Sequence, residues 1–383
     1  MLQAAIATNS EDVYRYTIAT WLPGTNPMAD YKDANNYLVR STFDILTTYM
    51  GDEGAEIARR LERLNAELPP VVGGPGRLRP AEKTISWGIT RRKGKFAVAI
   101  LTERKEVNPI LEQIEKDFGR TAIRRVMAQA HSFDPSSAAD EPKHDSLPDR
   151  MPGASIGHVH GYPGTLGCFV RSHEPDPWVG AISASHVLGR NGKSTAGETI
   201  LSPGHPDGPK SSDAKIGTLE RFIYLTHFED PSDNYLCCQD VAIVKLSEVD
   251  KYEIPEVTWA WCPKEDFKRL FPIKKVIGGR EVAERLGQPV YKVGRTTGPT
   301  RGILDIVGLQ RQPIRIDKRH YIYSNLLAVR CENEPFSKSG DSGALVYTED
   351  GCAIGMVIAG TDQFTFVSPL DACLRDIKAT LLQ

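Results

Sequence analysis

The spacing of apolar residues changes along this chain, from helical intervals in the first third to short strands afterwards. Apolar side chains recur at helical spacing over residues 35–50 and 52–68, which predicts two neighbouring helices. Alternation over residues 85–100 predicts a β-hairpin. Helical spacing returns over residues 108–119 and again from Thr121. The first third therefore predicts a small α+β module.

A polar stretch follows this module. Residues 134–154 are rich in Pro, Ser, Asp and Lys and poor in apolar side chains, which predicts an exposed linker and a site of proteolytic nicking. Residues 1–133 then form the module, whose first 30 residues are expected to be a loose arm. Nothing in the module looks catalytic, so its predicted role is docking, regulation or oligomerisation.

Short apolar strands recur from residue 155 to the end of the chain, and Gly- and Pro-rich turns separate most of them. Many short strands with such turns predict an all-β barrel or sandwich. A last helix is predicted to begin at Ser368 and Pro369 and to continue to Leu381. The predicted strands are 165–170, 178–184, 215–220, 240–246, 290–293, 301–309, 326–331, 344–347, 352–358 and 365–367.

Composition narrows the functional classes. Hydrophobic residues make up 40% and charged residues 25%, as in an ordinary globular protein. The net charge of −2 argues against nucleic acid or an anionic membrane as the main partner. The seven cysteines are spread out, and no signal peptide or membrane span is seen near Met1. Reduced thiols and a cytoplasmic location are therefore expected, with no membrane partner.

A turn of small residues from Ser339 to Gly343 precedes the apolar run Ala344–Tyr347. Gly340 allows a sharp bend that exposes the hydroxyl of Ser342 and points successive backbone N–H groups at one spot. A serine becomes a nucleophile only when a base takes its proton and a carboxylate orients that base. The Gly-Asp-Ser-Gly turn alone could equally be structural, so the prediction depends on a His and an Asp elsewhere.

Both residues are found upstream. His186 ends the apolar strand that begins near Ala181, and Asp240 begins the buried strand pattern up to Leu246. The order His, Asp, Ser is that of chymotrypsin. These three contexts resemble those around the triad of the chymotrypsin/trypsin-like serine peptidases. The resemblance covers residues 155–383, the predicted peptidase domain.

A narrower resemblance links this domain to the intracellular bacterial and plant narrow-leaf branch of that family. It is carried by two sequences, Gly161–Cys168 before the histidine strand and Lys292–Gly298 before the serine turn. The implied fold is two Greek-key barrels side by side, with the site between them and a terminal helix. With the leading module, the chain is predicted to be α+β overall.

The resemblance implies a role for each residue of the predicted site. Ser342 is the nucleophile, His186 the general base and then the acid, and Asp240 the residue that orients the imidazole. Backbone N–H groups of Gly340 and Ser342 form the oxyanion hole. The predicted function is a serine-type endopeptidase, a hydrolase acting on protein or peptide substrates without a cofactor or metal.

This chain departs from the family pattern around the specificity pocket. Phe336 occupies the floor position and offers no counter-charge to a basic side chain, so an apolar or small-residue pocket is predicted. Ile358 stands where a serine usually supports the aspartate, whereas Gly360 keeps the pocket mouth open. No clear zymogen start exists, with Ile156 only a distant candidate, so Asp341 is expected to have a partner other than a new N-terminus.

Other interpretations remain open. The barrels could be a catalytically silent scaffold for protein interaction, or the enzyme could cleave itself within residues 134–154. A regulatory protein could bind residues 1–133. The stretch Gly189–Thr195 resembles a phosphate loop, but Val187 replaces its first glycine, so a surface loop is favoured. His158 and His160 are too few to predict a metal site.

Overall fold

The computed structural model describes most of the chain from residue 27 onwards. The residues described are 27–67, 85–102, 108–119, 121–127, 132–133, 135–144, 149–208, 212–225, 237, 239–247, 258–261, 263, 267, 269–317 and 319–382. The predicted loose arm lies mostly outside the described residues, as do Cys238 and Cys262.

Helices lie mainly before the barrels and at the end of the chain. They are α1 (Pro27–Glu67), α2 (Asn108–Phe118), α3 (Ser185–Leu188), α4 (Gly279–Glu284) and α5 (Leu370–Asp376). Short 3-10 turns span Pro135–Ala139, Arg190–Gly192 and Ser212–Ala214.

Strands make up most of the remaining described residues. The first are β1 (Ser86–Arg92), β2 (Lys95–Thr102), β3 (Ile123–Met127), β4 (Ser132–Phe133), β5 (Ser155–His158), β6 (Pro163–Thr165), β7 (Cys168–Ser172), β8 (Val179–Ser183), β9 (Thr199–Leu201), β10 (Lys215–Phe222), β11 (Ala242–Leu246) and β12 (Trp259–Trp261). Those that follow are β13 (Leu270–Pro272), β14 (Lys275–Val276), β15 (Pro289–Gly294), β16 (Gly298–Gln310), β17 (Gln312–Ile316), β18 (Arg319–Tyr323), β19 (Leu326–Arg330), β20 (Leu345–Thr348), β21 (Cys352–Gly360), β22 (Phe364–Pro369) and β23 (Ala379–Leu381).

The leading α+β module joins the barrels through a shared sheet. Strand β1 pairs with β2 in the predicted hairpin and, on its other side, with β16 of the second barrel. The two predicted helices form α1, which bends at Gly51, whose φ is 63°. The helix predicted from Thr121 is wrong, because residues 123–127 form β3 and pair in parallel with β2. That pairing satisfies the backbone groups at the edge of β2, which a helix would leave open.

The second barrel is closed. Its strands follow the order β15-β20-β21-β22-β19-β16, and β15 also pairs with β16, so the path returns to its start. Its interior is apolar, with Val329, Ile354 and Val357 fully or nearly fully buried. Closure removes the open edges that would otherwise expose unpaired backbone groups.

The first barrel is a curled sheet in the order β7-β8-β11-β10-β9-β5-β6. The two strands at the ends of this order, β6 and β7, follow one another in the chain with only two residues between them. Ile156, Ile182 and Val244 are among its fully buried side chains. The predicted fold is confirmed: a chymotrypsin-like double barrel with a terminal helix, preceded by a small α+β module.

The polar stretch 134–154 is packed only in part: residues 140, 142 and 149 are exposed, whereas other residues of the stretch are buried. Ala138 is 1% exposed, and residues 152–154 are buried. The backbone N–H of His144 donates to the carbonyl of Arg295 at 2.8 Å. Small side chains such as alanine allow this close contact, which polar composition alone does not reveal. The boundary between the domains stays a prediction.

The terminal helix is shorter than predicted. It ends at Asp376, and Leu381 lies in β23, which pairs with β7 of the first barrel. Within the described residues, no helix combines the length and the apolarity that crossing a membrane requires. The cysteines that are described carry free thiols.

Candidate active site

Strand pairing in the first barrel brings His186 and Asp240 to the same end of the sheet. Strands β8 and β11 are antiparallel, and Ser183 pairs with Ala242. The residues that follow β8 therefore lie beside those that precede β11. His186 is the second residue of α3, which begins two residues after β8 ends.

The two side chains form a buried pair. His186 Nδ1 lies 2.7 Å from Asp240 Oδ2, and both side chains are 0% exposed. The backbone N–H of His186 also donates to Asp240 Oδ1 at 3.0 Å. Both oxygens of the Asp240 carboxylate therefore contact His186, which fixes the orientation of the imidazole ring.

Two further residues contact Asp240, and the sequence analysis missed both. The hydroxyl of Tyr323 donates to Asp240 Oδ2 at 3.1 Å, and the backbone N–H of Asp240 donates to Ser368 Oγ at 3.2 Å. Burial, followed by the charge of Asp240, raises the pKa of Tyr323, so the phenol keeps its proton. Tyr323 therefore provides polar support to Asp240, whereas Ile358 cannot. No sequence signal links Tyr323 to this site, since β18 was not predicted.

The serine turn has the backbone geometry that its glycines allow. Gly340 and Gly343 have φ values of 95° and 94°, in the left-handed region that favours glycine. Thr165 holds the turn against the first barrel, because its hydroxyl donates to the carbonyl of Gly340 at 2.9 Å. Its backbone N–H donates to the carbonyl of Ser342 at 2.8 Å. The turn is therefore fastened to both barrels.

Ser342 and His186 lie on the wall of the same cavity. Gly164 lies between Val187, the residue after His186, and the Ser342 carbonyl: a Cβ added there would be 2.8 Å from the Val187 side chain and 2.9 Å from Ser342 O. Ser342 is 1% exposed, and its Oγ has no hydrogen-bond partner among the described residues. The Ser–His hydrogen bond of the predicted triad is therefore not made in this structure. Such bonds commonly tighten only when substrate is bound.

The predicted oxyanion donors are available. Within the described residues, the backbone N–H groups of Gly340 and Ser342 take part in no hydrogen bond. The N–H groups of the residues that follow each of them are already hydrogen-bonded. That of Asp341 donates to Lys338 O at 3.0 Å, and that of Gly343 donates to Val357 O at 2.8 Å. The turn thus fixes the amides of Asp341 and Gly343 and leaves the N–H groups of Gly340 and Ser342, on either side of Asp341, as donors for a ligand oxygen.

Asp341 has the alternative partner that the sequence analysis expected. Lys292 Nζ donates to Asp341 Oδ2 at 3.1 Å, and both side chains are 0% exposed. Backbone N–H groups of Thr296 and Lys338 donate to the same carboxylate at 2.8 and 3.0 Å. The candidate zymogen start is not involved, because Ile156 lies fully buried in β5.

Lys292 begins the motif Lys292–Gly298, but the sequence pattern assigned no role to it. Burial lowers the pKa of Lys292, and the adjacent Asp341 carboxylate opposes that effect. Its ammonium also donates to Gly298 O at 3.2 Å and lies 5.9 Å from the ring centroid of Phe336. Lys292 therefore supplies the positive charge that Asp341 contacts in this structure.

The predicted pocket residues do not line the cavity that His186 and Ser342 share, and Phe336 and Ile358 pack in different apolar clusters. Phe336 and Ile358 are both 0% exposed, and Phe336 packs in the core of the second barrel. A Cβ added at Gly360 would collide with Ser337 Oγ, which lies 2.8 Å from Thr365 Oγ1. Their role in specificity stays a prediction.

The cavity has a volume of about 630 Å³ and opens beside His186 and Ser342. One wall comes from the segment that follows the leading module, through Ala138 and Ala139. Ser137 Oγ in that segment lies 2.6 Å from Ser339 Oγ in the serine turn. The remaining lining residues are His160, Gly161, Tyr162, Pro163, Val187, Arg190, Asn191, Lys193, His205, Pro206 and Asp317.

The histidine pair considered for metal binding has other contacts. His158 is 0% exposed, and its Nε2 lies 2.8 Å from Glu198 Oε2. Burial lowers the pKa of His158, although the Glu198 carboxylate acts in the opposite direction. Within the described residues, no group of three or more His, Cys, Asp or Glu side chains is placed to hold a metal ion.

The fold and the candidate site define a class: a chymotrypsin-like double barrel with a buried His–Asp pair and a serine turn in one cleft. No family model and no curated protein matches the chain. Solved structures that are similar include Protease A of Thermobifida fusca, with a TM-score of 0.39 and 16% identity, covering 60% of this chain and 97% of that one.

Nocardiopsis protease gives a TM-score of 0.40 and 16% identity, and also covers 60% of this chain and 97% of its own. Cellulomonas bogoriensis chymotrypsin gives a TM-score of 0.38 and 15% identity, with the same coverage of both chains.

Proposed function

We propose that this protein is a serine endopeptidase. The single observation that carries the proposal is the fully buried contact of 2.7 Å between His186 Nδ1 and Asp240 Oδ2, with His186 on the wall of the cavity that Ser342 also lines. Removing a carboxylate from water costs free energy unless polar partners compensate for it. A carboxylate in contact with an imidazole can orient it as a general base beside a serine.

In the proposed reaction, Ser342 Oγ attacks the carbonyl carbon of a peptide bond while His186 accepts the hydroxyl proton. The carbonyl oxygen becomes an oxyanion and receives hydrogen bonds from the N–H groups of Gly340 and Ser342. His186 then protonates the leaving amine, and the C–N bond breaks to give an acyl-enzyme. Water, deprotonated by His186, releases the acyl group and restores the serine. Asp240 stabilises the imidazolium in both steps.

The proposed specificity is for apolar or small residues before the cleaved bond. Phe336 is buried among apolar side chains, so the floor of the predicted pocket contains no carboxylate. Burying an unpaired Lys or Arg side chain there would cost several kcal/mol. Peptides with Ala or Val at this position should be cleaved faster than those with Lys or Arg.

Regulation by the leading module is part of the proposal. The segment that follows the module contributes Ala138 and Ala139 to the cavity wall, and Ser137 contacts Ser339 of the serine turn. A partner that binds the module could therefore change access to Ser342. Replacing Ser137 by Glu, which places a charge in this contact, should raise the rate of active-site labelling if the segment limits access.

Labelling by a fluorophosphonate tests the proposed function. The reagent should modify Ser342 in the wild type, and labelling should disappear in Ser342→Ala and fall about 10³-fold or more in His186→Ala. Ser172→Ala removes a buried serine that does not line the cavity, so it should keep full labelling. A wild type that is never labelled would support the silent-scaffold alternative.

Self-cleavage within residues 134–154 remains a separate prediction. Incubated wild type should then give two fragments, and Ser342→Ala should stay intact. Mixing catalytic amounts of wild type with intact Ser342→Ala distinguishes cleavage within one chain from cleavage between chains.

A further inference from the structure

The cavity beside His186 has a positively charged wall. Besides His186, its ionisable lining residues are Arg190, Lys193, His160 and His205, and Asp317 is the acid on its wall among the described residues. Lys193 Nζ lies 3.7 Å from Asp317, and the two side chains are 53% and 40% exposed. Such an exposed pair holds its partners weakly, so Lys193 can turn towards an incoming anion.

Arg190 is the best placed of these cations. It lies four residues after His186 in the chain, and its stem lies against Gly161, where an added Cβ would be 3.4 Å from Arg190 Cγ. Arg190 forms no ion pair with any residue that the structure describes. The nearby Glu198 does not neutralise it, because Glu198 Oε2 is bonded to His158 and to the backbone N–H of Thr195.

Asn191 supplies a buried polar group at the same wall. It is 6% exposed, and its Oδ1 has no hydrogen-bond partner within the described residues. Arg190 and Asn191 have φ values of 51° and 56°, two successive left-handed residues that are not glycine. Backbone in this region persists only where its surroundings fix it, and it is enriched where proteins clamp ligands.

The position of the cavity identifies which part of a substrate it would receive. In the proposed reaction His186 protonates the leaving amine, so that amine lies at the wall that His186 forms. The predicted pocket for the residue before the bond, at Phe336, Ile358 and Gly360, does not line this cavity. The cavity therefore lies on the leaving-group side of Ser342.

We propose that this cavity binds a carboxylate of the leaving group, held by Arg190 with Lys193 at its rim, while Asn191 Oδ1 accepts a hydrogen bond from an N–H of the same group. The inference rests on the proposed peptidase function and adds its substrate class. Arginine pairs with carboxylates through two parallel hydrogen bonds, and a concave wall strengthens that attraction. The carboxylate could be an Asp or Glu side chain just after the bond, or the C-terminus of a short leaving group.

Matched peptides separate these two sources. One pair carries Asp or Asn directly after an Ala-X bond, with an amidated C-terminus far from it. The other pair is neutral, ends two residues after the bond, and has either a free or an amidated C-terminus. We expect the acid of at least one pair to be cleaved about 10- to 100-fold faster, measured as kcat/KM by mass-spectrometric competition. Ratios within about twofold in both pairs would overturn the inference.

Charge reversal at Arg190 tests whether this residue binds the carboxylate. Arg190→Glu should remove the preference for the acid and favour Lys over Gln directly after the bond, a gain that misfolding cannot produce. Arg171→Glu makes the same charge change at an exposed position of β7 and should leave every ratio unchanged. An acid preference that persists in Arg190→Glu would refute the assignment.

Binding to Ser342→Ala keeps this test separate from the proposed function. Fluorescence anisotropy with the same peptides should show tighter binding of the acid, by a similar factor, in the full chain. If the wild type is neither labelled nor active, the peptidase proposal fails while this binding ratio still decides the inference. Equal binding of acid and amide contradicts the inference, whatever the chain hydrolyses.

Discussion

Asp240 and Asp341 are both completely buried, but they lie on different barrels and have partners of different kinds. Asp240, in the first barrel, contacts His186, whose imidazole can serve as a proton acceptor and donor in a reaction. Asp341, in the second barrel, contacts the ammonium of Lys292 and the backbone N–H groups of Lys338, just before the serine turn, and of Thr296, between β15 and β16. Burial and charge are therefore the same in the two sites, and the difference lies in what the partner can do.

The comparison separates chemistry from architecture. A carboxylate beside an imidazole can stabilise a positive charge that appears during a reaction. A carboxylate that receives N–H groups of Thr296, Thr297 and Lys338 instead fixes the backbone that presents Gly340 and Ser342. In the proposed mechanism, the same residue type thus provides a charge for the base in one barrel and fixes the oxyanion donors in the other.

The largest effect should come from Asp240→Asn. The amide keeps the shape of the carboxylate but cannot stabilise the imidazolium, so kcat should fall about 10³- to 10⁴-fold. The thermal midpoint should change by only a few degrees. Peptide turnover and thermal unfolding measured on the same preparation check this. A loss below tenfold would mean that Asp240 is structural, like Asp341, and would remove the distinction between the two.

Lys292→Met should have the next largest effect, and on stability first. It leaves the Asp341 carboxylate buried without its cation, which costs about 3–5 kcal/mol of unfolding free energy. Fluorophosphonate labelling should also slow, because the turn loses its fixed geometry. Urea unfolding gives the first quantity and the labelling rate gives the second.

The double variant Lys292→Met with Asp341→Asn separates these two effects. Removing both charges should recover most of the unfolding free energy, since no unpaired charge is left buried. Labelling should stay slow, because a neutral amide accepts weaker hydrogen bonds from the N–H groups of Thr296 and Lys338 than a carboxylate does. Equal recovery of stability and labelling would show that the Asp341 carboxylate acts only through stability.

A third carboxyl, that of Asp376 at the end of α5, is largely buried, with its side chain 17% exposed, and it extends the comparison. Arg375 Nε lies 3.8 Å from its Oδ1, and burial raises the pKa of Asp376 to about 7. The folded chain therefore holds a proton between about pH 4 and pH 7 that the unfolded chain releases, so the unfolding free energy falls as pH rises through that window.

Asp376→Asn should flatten this dependence. The wild type loses about 4 kcal/mol across the window by linkage, and a buried amide costs about 2 kcal/mol, so the variant should be about 2 kcal/mol more stable at pH 8. It should have no advantage at pH 4. Urea unfolding across this range is the measurement, and exposed Asp362→Asn is the control. A variant that keeps the wild-type slope would place the proton elsewhere.

Much of the barrel architecture could be predicted from sequence because its signals are local. Alternating apolar residues and glycine turns identify strands such as β16 and β21, and the small-residue turn identifies the neighbourhood of Ser342. Local signals fail where pairing decides the structure. Residues 123–127 carry helical spacing, but the open edge of β2 makes them a strand.

The same limit applies to the candidate site. His186 and Asp240 stand out because each adjoins an apolar strand, whereas Tyr323 lies in a hairpin that no pattern linked to them. Lys292 lies in a motif quoted from the sequence, but its pairing with Asp341 depends on β15 passing beneath the serine turn. Contacts between distant segments are set by topology, and a single sequence records topology only indirectly.

Tyr323→Phe should have the smallest effect on kcat and stability. It tests whether Asp240, like Asp341, depends on several fixed hydrogen-bond donors. The phenol hydroxyl supplies one hydrogen bond to Asp240 Oδ2, whose loss should cost about 1 kcal/mol of stability. The backbone N–H of His186 still holds the other carboxylate oxygen, so kcat should fall by less than tenfold.

Tyr321→Phe is the matched control, because it removes a buried hydroxyl two residues away on the same strand. It should leave kcat unchanged. If Tyr323→Phe instead lowers kcat as far as Asp240→Asn does, the tyrosine is essential for positioning the base. Asp240 would then resemble Asp341 in depending on a network of fixed donors, and the contrast between the two barrels would become one of degree.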